Sequence, residues 1–334
     1  MKLPGGVRRY LAGRAVQCIG VWFLIITFNF VLFRVMPGDP RMALLHQNLD
    51  PSVRQQVEEK FGLDLPIWEQ YGLYLVNLFR GDWGRSFTIS TNTPVVNIIF
   101  GSRLINTLVL MGTSLFLSII LGIAIGVLAA SRRNSLLDKS SVVFFLVTYS
   151  MPVFWSGLLI LLYLGFYLNL IPLFGTFAHW TKHANFLEFV ADYLWHMTGP
   201  MIVLTLSFIG SFFLLMRDSV LDVFTKDFME AARAKGLSER RILYRHAMRN
   251  AMLPMISVIA VNMTYLISGA TVTEQVFTWP GIGQLIIQAV VNADYPVLQG
   301  IFLLLATVVV FSNFVADIVY AFADPRIRYG EKEK

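Results

Sequence analysis

Charge is what this sequence has least of. Of 334 residues, 27 are Lys or Arg and 21 are Asp or Glu, 14% in all, against 56% hydrophobic. Soluble domains carry about a quarter of their residues as charges, so an ordinary aqueous globule is excluded. Cysteine is nearly absent too. Cys18 alone rules out a disulfide framework and a cysteine-based metal site. No Gly-x-x-x-x-Gly-Lys-Ser/Thr phosphate loop occurs, since Lys139-Ser140 lacks the preceding glycines, and there is no nucleophile elbow, His-Glu-x-x-His pair or glycine-rich dinucleotide turn. These absences exclude the usual sequence routes to nucleotide hydrolysis, acyl transfer and zinc or dinucleotide binding. His179 and His183 stand four apart, but two histidines without a further ligand do not make a metal site.

Long apolar runs are what the sequence has instead. Six runs without Asp, Glu, Lys or Arg cover 15–33, 104–131, 140–168, 197–216, 250–273 and 295–316. Each is long enough, at about 1.5 Å per residue, to cross a hydrocarbon core about 30 Å thick. Inside lipid only a helix satisfies the backbone of a single segment. The expected fold class is therefore an all-α integral membrane protein with six transmembrane helices. Nineteen of the 27 basic residues fall in the N-terminal segment, the loop near 131–139, the segment 217–249 and the C-terminal tail. The positive-inside rule makes that side cytoplasmic, with both termini inside. The net charge of +6 is largely this bias and points to membrane lipid, with no nucleic acid as partner. The first run leads into Met36-Pro37-Gly38-Asp39-Pro40 instead of a small-x-small cleavage site, so it reads as an uncleaved anchor.

The expected organisation is residues 1–36 for the cytoplasmic N-terminus and first helix, 37–103 for a helical extracytoplasmic cap, 104–323 for the transmembrane core (helices 2–6) with the cytoplasmic loop 217–252, and 324–334 for a cytoplasmic tail. Within the cap, Asp50-Pro51 starts one helix with Val53, Val57 and Phe61 on one face, and Pro66 opens a second carrying Trp68, Tyr71, Leu75 and Leu78. Ser114, Ser118, Gly122, Gly126 and Ala130 recur every four residues, a ridge that lets two helix backbones approach in lipid, expected within the chain, with a subunit interface as the alternative. Pro152 removes one backbone bond and is expected to kink its helix near Ser150-Met151, a bend that suits a gate.

The segment 217–252 reads as helix, turn, helix. Phe224, Phe228, Ala231 and Ala232 are expected on one side of a short helix, Gly236 as its left-handed terminator and Ser238 as the next N-cap. Glu230 has Lys226 at i−4 and Arg233 at i+3, either of which would orient it. Two alanines leave room for a partner's surface.

Glu230-Ala231-Ala232 followed by Gly236-Leu237 resembles the cytoplasmic docking loop of ATP-binding-cassette importer permeases. Gly81-Asp82-Trp83-Gly84, Ser150-Met151-Pro152, Arg249-Asn250-Ala251-Met252-Leu253-Pro254, Phe277-Thr278-Trp279-Pro280-Gly281-Ile282-Gly283, Asp294-Tyr295-Pro296 and Asp324-Pro325-Arg326-Ile327-Arg328 accompany it in order. With them the chain resembles the first, B-type, transmembrane subunit of the dipeptide/oligopeptide/nickel importers over essentially its whole length. The resemblance implies the type I importer permease fold in a prokaryotic inner membrane. It implies a homologous second permease, two cytoplasmic ATP-binding subunits and an extracytoplasmic solute-binding protein. ATP and Mg would be held by the ATP-binding partners, with no cofactor in this chain and no catalysis by it. Docking would run through Phe228, Glu230, Ala231, Ala232, Gly236 and Leu237. Peptides are the implied cargo, with oligosaccharides or nickel as alternatives.

The polar residues of the apolar runs come last. Asn29, Asn262, Thr264, Ser268, Thr271 and Thr273 are expected to line a solute path, with Pro152 as a gate. Glu274 reads either as a gate or as a rim carboxylate reaching water. Asp317 reads as a path residue or as the partner of a basic group near the inner interface. No chain of acidic or histidine residues runs through the spans, which argues against an ion-coupled carrier or channel. Asp317 alone does not supply an intramembrane enzyme.

Overall fold

The computed structural model describes residues 5–35, 65–177, 183–263, 266 and 270–323. The expected helix at 50–61, His179, Thr264, Ser268 and the motifs at 36–40 and 324–328 lie outside them. The described residues are helical. In chain order the helices are α1 (Gly5–Val35), α2 (Ile67–Phe79), α3 (Val95–Ile98), α4 (Leu104–Ser131), α5 (Leu136–Ser150), α6 (Val153–Ile160), α7 (Phe186–Phe224), α8 (Asp227–Ala234), α9 (Glu239–Arg241), α10 (Met248–Met263), α11 (Thr271–Val276), α12 (Ile282–Val291) and α13 (Tyr295–Ala323). Wider π-type turns join α3 to α4, extend α6 to Tyr167 and join α9 to α10.

Four helical stretches are long and apolar enough to cross a membrane: Tyr10–Arg34, Val95–Ser131, Phe186–Phe224 and Tyr295–Val315. The third expected span is broken instead of kinked. Met151 is extended (ψ 135°), Pro152 starts α6, and the two arms diverge by 104°. Counted as one span, the pair makes a fifth. The run 250–273 divides between α10 and the short α11.

The chain forms two compact units, one of residues 106–284 and one of 1–105 with 285–334. In the terminal unit α1 and α13 run antiparallel. Arg14 pairs with Asp317, Trp22 Nε1 donates to Thr307 Oγ1 (2.9 Å) and Asn29 Nδ2 donates to the Gln299 carbonyl (3.1 Å). Asp317 thus has the basic partner that one reading anticipated.

In the central unit the small-residue ridge decides the packing. A Cβ on Gly122 would lie 2.7 Å from Phe212 Cβ, and one on Gly126 would lie 2.9 Å from the Phe213 carbonyl and 3.0 Å from Met216 Cβ. Contacts that short do not occur, so α4 and α7 meet backbone to backbone only because these positions are glycine. Gly210 of α7 repeats the arrangement against α5, where its Cβ would lie 2.9 Å from the Phe145 carbonyl and from Tyr149 Cβ. Toward the C-terminal end of α7, Arg217 grips the buried Asp138 at the start of α5, with Nε–Oδ1 at 2.6 Å and Nη2–Oδ2 at 3.1 Å. The α7 helix has 39 residues, about 58 Å at 1.5 Å per residue. The outer faces are apolar, with Phe116, Leu158, Phe166 and Tyr167 exposed, as a lipid-facing surface requires.

Substituting Gly126 by Leu inserts a side chain where only hydrogen fits. Overpacking of this kind costs about 1–3 kcal/mol, so thermal unfolding of purified G126L in detergent is expected to fall below wild type by several degrees. An unchanged midpoint would show that α4 and α7 separate without loss.

Candidate functional site

The segment after α7 is built to hold one short helix rigidly while leaving one face open. Thr225 closes α7, and α8 starts at once with Asp227 and Glu230 in its first turn, where carboxylates favour the helix dipole. Met229 and Ala232 turn inward and are buried with Val220, Ile242, Ala247 and Met255. Leu237 packs on the same cluster. Gly236 ends the helix at φ +74°, donating its N–H to the Arg233 carbonyl (2.9 Å). No atom lies within 4 Å of its missing Cβ, so glycine is needed here for backbone conformation alone.

Two expectations for this helix need correcting. Ala231 and Ala232 do not share a face, because steps of three residues from Met229 carry Ala232 inward and leave Ala231 outside beside exposed Phe228. Glu230 is not held by Lys226 or Arg233. Lys226 pairs with Asp222 (3.2 Å), while Arg233 pairs with Glu239 (3.2 Å) and lies over the Phe224 ring at 5.9 Å. Glu230 is exposed and has no ion-pair partner among the described residues. Ser238 stands at the N-cap of α9 without a side-chain cap bond. The open face of α8 thus offers Phe228, Glu230 and Ala231. A shallow groove of about 460 Å³ runs beside it, lined by Thr225, Asp227, Phe228 and Asn250.

A second constellation surrounds Glu274, which is fully buried. Its Oε1 accepts from Thr107 Oγ1 (2.8 Å) and its Oε2 from the Gln284 N–H (3.0 Å). The Thr107 hydroxyl in turn accepts from the Ile282 N–H (2.8 Å). The carboxylate therefore gathers the free N–H groups at the start of α12, directly and through Thr107. A Cβ on Gly281 would lie 2.4 Å from Glu274 Oε2, and one on Gly283 would lie 2.4 Å from Thr271 Cα. Trp279 is buried and donates Nε1–H to the Asn106 carbonyl (3.1 Å), while Asn106 Nδ2 donates to the Pro280 carbonyl (2.9 Å). That network explains the Trp-Pro-Gly-Ile-Gly sequence. It also replaces the rim carboxylate reaching water with a sealed one.

Of the other expected path residues, Pro152 lies in the break between α5 and α6, beside an open apolar hollow of about 640 Å³ that Val147, Phe154 and Trp155 also line. Asn262 donates Nδ2–H to the Val258 carbonyl of its own helix (2.8 Å). Thr273 is buried, and its hydroxyl has no partner among the described residues. His183 pairs with Asp192 at 2.9 Å, and no group of three metal-ligating side chains occurs among the described residues. In the terminal unit Asp294, noticed in the sequence only as part of a motif, is fully buried. It accepts from Ser86 Oγ (2.5 Å), the N–H groups of Phe87, Thr88 and Ile89 (3.2, 3.0 and 3.1 Å) and Thr88 Oγ1 (3.1 Å). A carboxylate far from its donors in sequence leaves no local signal of such a cradle.

The family model of the binding-protein-dependent transport system inner membrane component matches residues 122–329, which include α8 and the Glu274 network's Trp-Pro-Gly-Ile-Gly loop. The chain belongs to this family. The N-terminal model of the same transport systems matches residues 7–111. The chain is 35% identical over 320 residues to the oligopeptide transport system permease protein AppB of Bacillus subtilis, covering 96% of this chain and 99% of that one. It is 36% identical over 326 residues to the dipeptide transport system permease protein DppB of Escherichia coli strain K12, covering 91% and 94%. In fold it is similar to a chain of the MetNI methionine ABC transporter in an inward facing conformation, with a TM-score of 0.53 at 15% identity, over 67% of this chain and 95% of that one. As a family member it is a multi-span inner membrane component of a transport system, and its apolar exterior is a lipid surface.

Valine at position 236 would force a β-branched residue to φ +74°, at about 1–2 kcal/mol, whereas asparagine tolerates that region. G236V is expected to speed proteolytic cleavage of the α8–α9 turn in solubilised protein, with G236N close to wild type. Glu274→Gln turns one acceptor into a donor facing an N–H or a hydroxyl. Leaving a buried donor unsatisfied costs about 1–3 kcal/mol, so E274Q is expected to lower the thermal midpoint.

Proposed function

We propose that this chain is the B-type transmembrane permease subunit of an ATP-binding-cassette importer for di- or oligopeptides and forms half of the translocation pathway. In this reading it has six spans, with α10 and α11 contributing the fifth, and both termini are cytoplasmic. Residues 37–103 are the extracytoplasmic segment, 104–323 the permease core with docking loop 217–252, and 324–334 the tail. Its partners are a homologous second permease, two cytoplasmic ATP-binding subunits and an extracytoplasmic solute-binding protein.

The observation that carries the reading is α8. Met229 and Ala232 key the helix into the core, and Phe228, Glu230 and Ala231 remain on the open face. A surface helix rigid at its base and unpaired at its face transmits a push from a partner into α7 and α10, which share its buried cluster. Glu230, Ala231 and Phe228 make the contact, while Ala232, Gly236 and Leu237 hold the helix that presents it. Nucleotide binding and hydrolysis then fall to the ATP-binding partners. The break at Pro152 serves as the gate. Asn262, Thr264 and Ser268 lie along the path, and Glu274 holds the outer loop as a positioning residue. Peptide cargo is supported by the relatives at 35 and 36% identity, which are oligopeptide and dipeptide system permeases.

Glu230→Arg is expected to leave membrane insertion intact while removing the ATP-binding subunits from a pull-down of tagged permease, with loss of labelled dipeptide uptake. Recovery of those subunits with E230R at wild-type yield would overturn docking through this face. Uptake of a labelled oligosaccharide or of nickel in place of peptide would overturn the cargo.

A further inference from the structure

The helix α2 is amphipathic in the wrong sense for a helix in water. Its exposed side chains include Ile67, Trp68, Leu73, Val76 and Phe79, with Trp68 71% and Phe79 64% exposed. Gln70, Tyr74 and Asn77, together with Leu73 and Leu78, line a cavity of about 60 Å³ against Phe30 of α1 and Gln299 of α13. A helix packed on a protein surface in water buries its apolar stripe and shows its polar one. The reverse arrangement is the pattern of a helix whose outer face meets hydrocarbon.

The depth of α2 follows from its contacts with α1. Tyr71 lies against Phe30 (5.2 Å between ring centres) and its hydroxyl is 2.6 Å from Thr27 Oγ1, whereas Phe79 reaches Trp22 and Phe23 (6.1 and 6.4 Å). The two helices are therefore antiparallel, and α2 moves toward the cytoplasmic end of α1 as it proceeds. From Arg14, paired with Asp317, to Arg34 is twenty residues, about 30 Å of helix and one hydrocarbon thickness. Trp22 is twelve residues below Arg34, about 18 Å on the same rise. However α1 is tilted, the far end of α2 shares the depth of the middle of that span.

The apolar faces also join. Phe79 touches Phe23, itself exposed, and α1 continues the surface with exposed Leu24, Phe28, Val31 and Leu32. The inner side is polar enough to hold water. Tyr74 Oη meets the side chains of Asn29 and Gln299 there, and about 10–15 Å³ suffices for one water, well within the cavity's volume. Asp82, after the end of α2, and Arg34, at the outer end of α1, line the same cavity, and charged groups in a membrane protein are sustained beside water.

We propose that α2 is a re-entrant helix in the outer leaflet, its Trp68–Val76–Phe79 face covered by lipid acyl chains and its Gln70–Tyr74–Asn77 face closing a hydrated cleft against α1 and α13. This takes α2 out of the extracytoplasmic segment and into the bilayer. It rests on α1 being a span and not on the cargo.

The test is site-directed spin labelling of the assembled transporter in phosphatidylethanolamine–phosphatidylglycerol nanodiscs. Single cysteines replace Trp68, Val76 and Phe79 in a Cys18→Ser background, and collision with oxygen is compared with collision with a water-soluble nickel chelate. Oxygen is expected to dominate at V76C and F79C, with the ratio rising from W68C to F79C. Nickel dominance at V76C would mean a water-exposed cap. Exclusion of both reagents there would mean cover by another protein chain, and either result overturns the proposal. If F79C fails to assemble, V76C alone decides by the same ratio.

Discussion

The backbone contact between α4 and α7 is the constraint on which the central unit depends. Lipid offers no hydrophobic drive for one apolar helix to prefer another, so the contact has to come from shape. Gly122 and Gly126 supply it by letting the α7 backbone lie against α4, and Gly210 supplies a second such seat against α5. With α7 held twice along its length and fastened to Asp138 through Arg217, its C-terminal end is a fixed point. Helix α8 starts just after that point, at Asp227, three residues beyond Phe224.

Rigidity at α8 comes from apolar keys, since its ion pairs are exposed and worth little in water. Met229 and Ala232 fasten α8 into a cluster that also contains residues of α7 and α10. The pairs Lys226–Asp222 and Arg233–Glu239 withdraw the nearest cations from Glu230. A carboxylate left exposed and unpaired is available to a partner, and a helix whose inner face is locked does not absorb the partner's motion by tilting.

The two units arrive separately at one device for fixing a loop outside the long helices. Glu274 in the central unit and Asp294 in the terminal unit are fully buried carboxylates, each surrounded by backbone N–H and hydroxyl donors. Burying a charge in this way is tolerable only when its lone pairs are filled, and the requirement runs both ways. The carboxylate holds the loop, and the loop must keep the conformation that supplies its donors. At the Glu274 site that demand extends to Gly281 and Gly283, which leave the space the carboxylate and Thr271 occupy.

By itself the sequence determined the helical class, the membrane setting, a bend in the third span at Pro152 and the helix-turn-helix of 217–252. Apolar run length, basic-residue placement, Pro152 and the Glu230–Leu237 motif are local signals that lipid and backbone chemistry read without knowledge of neighbours. The glycine ridge was legible for the same reason, as a four-residue periodicity. Only the tertiary structure decided which alanine of the docking helix faces outward, that Lys226 and Arg233 have other partners, and that Glu274 is sealed. It alone placed Asp294 against Ser86 and Thr88, more than two hundred residues away in sequence, and α2 polar-side-in against α1. The physical reason is common to all of them. A side chain's spacing along a helix says which residues share a face, but what that face meets is set by another segment of the chain.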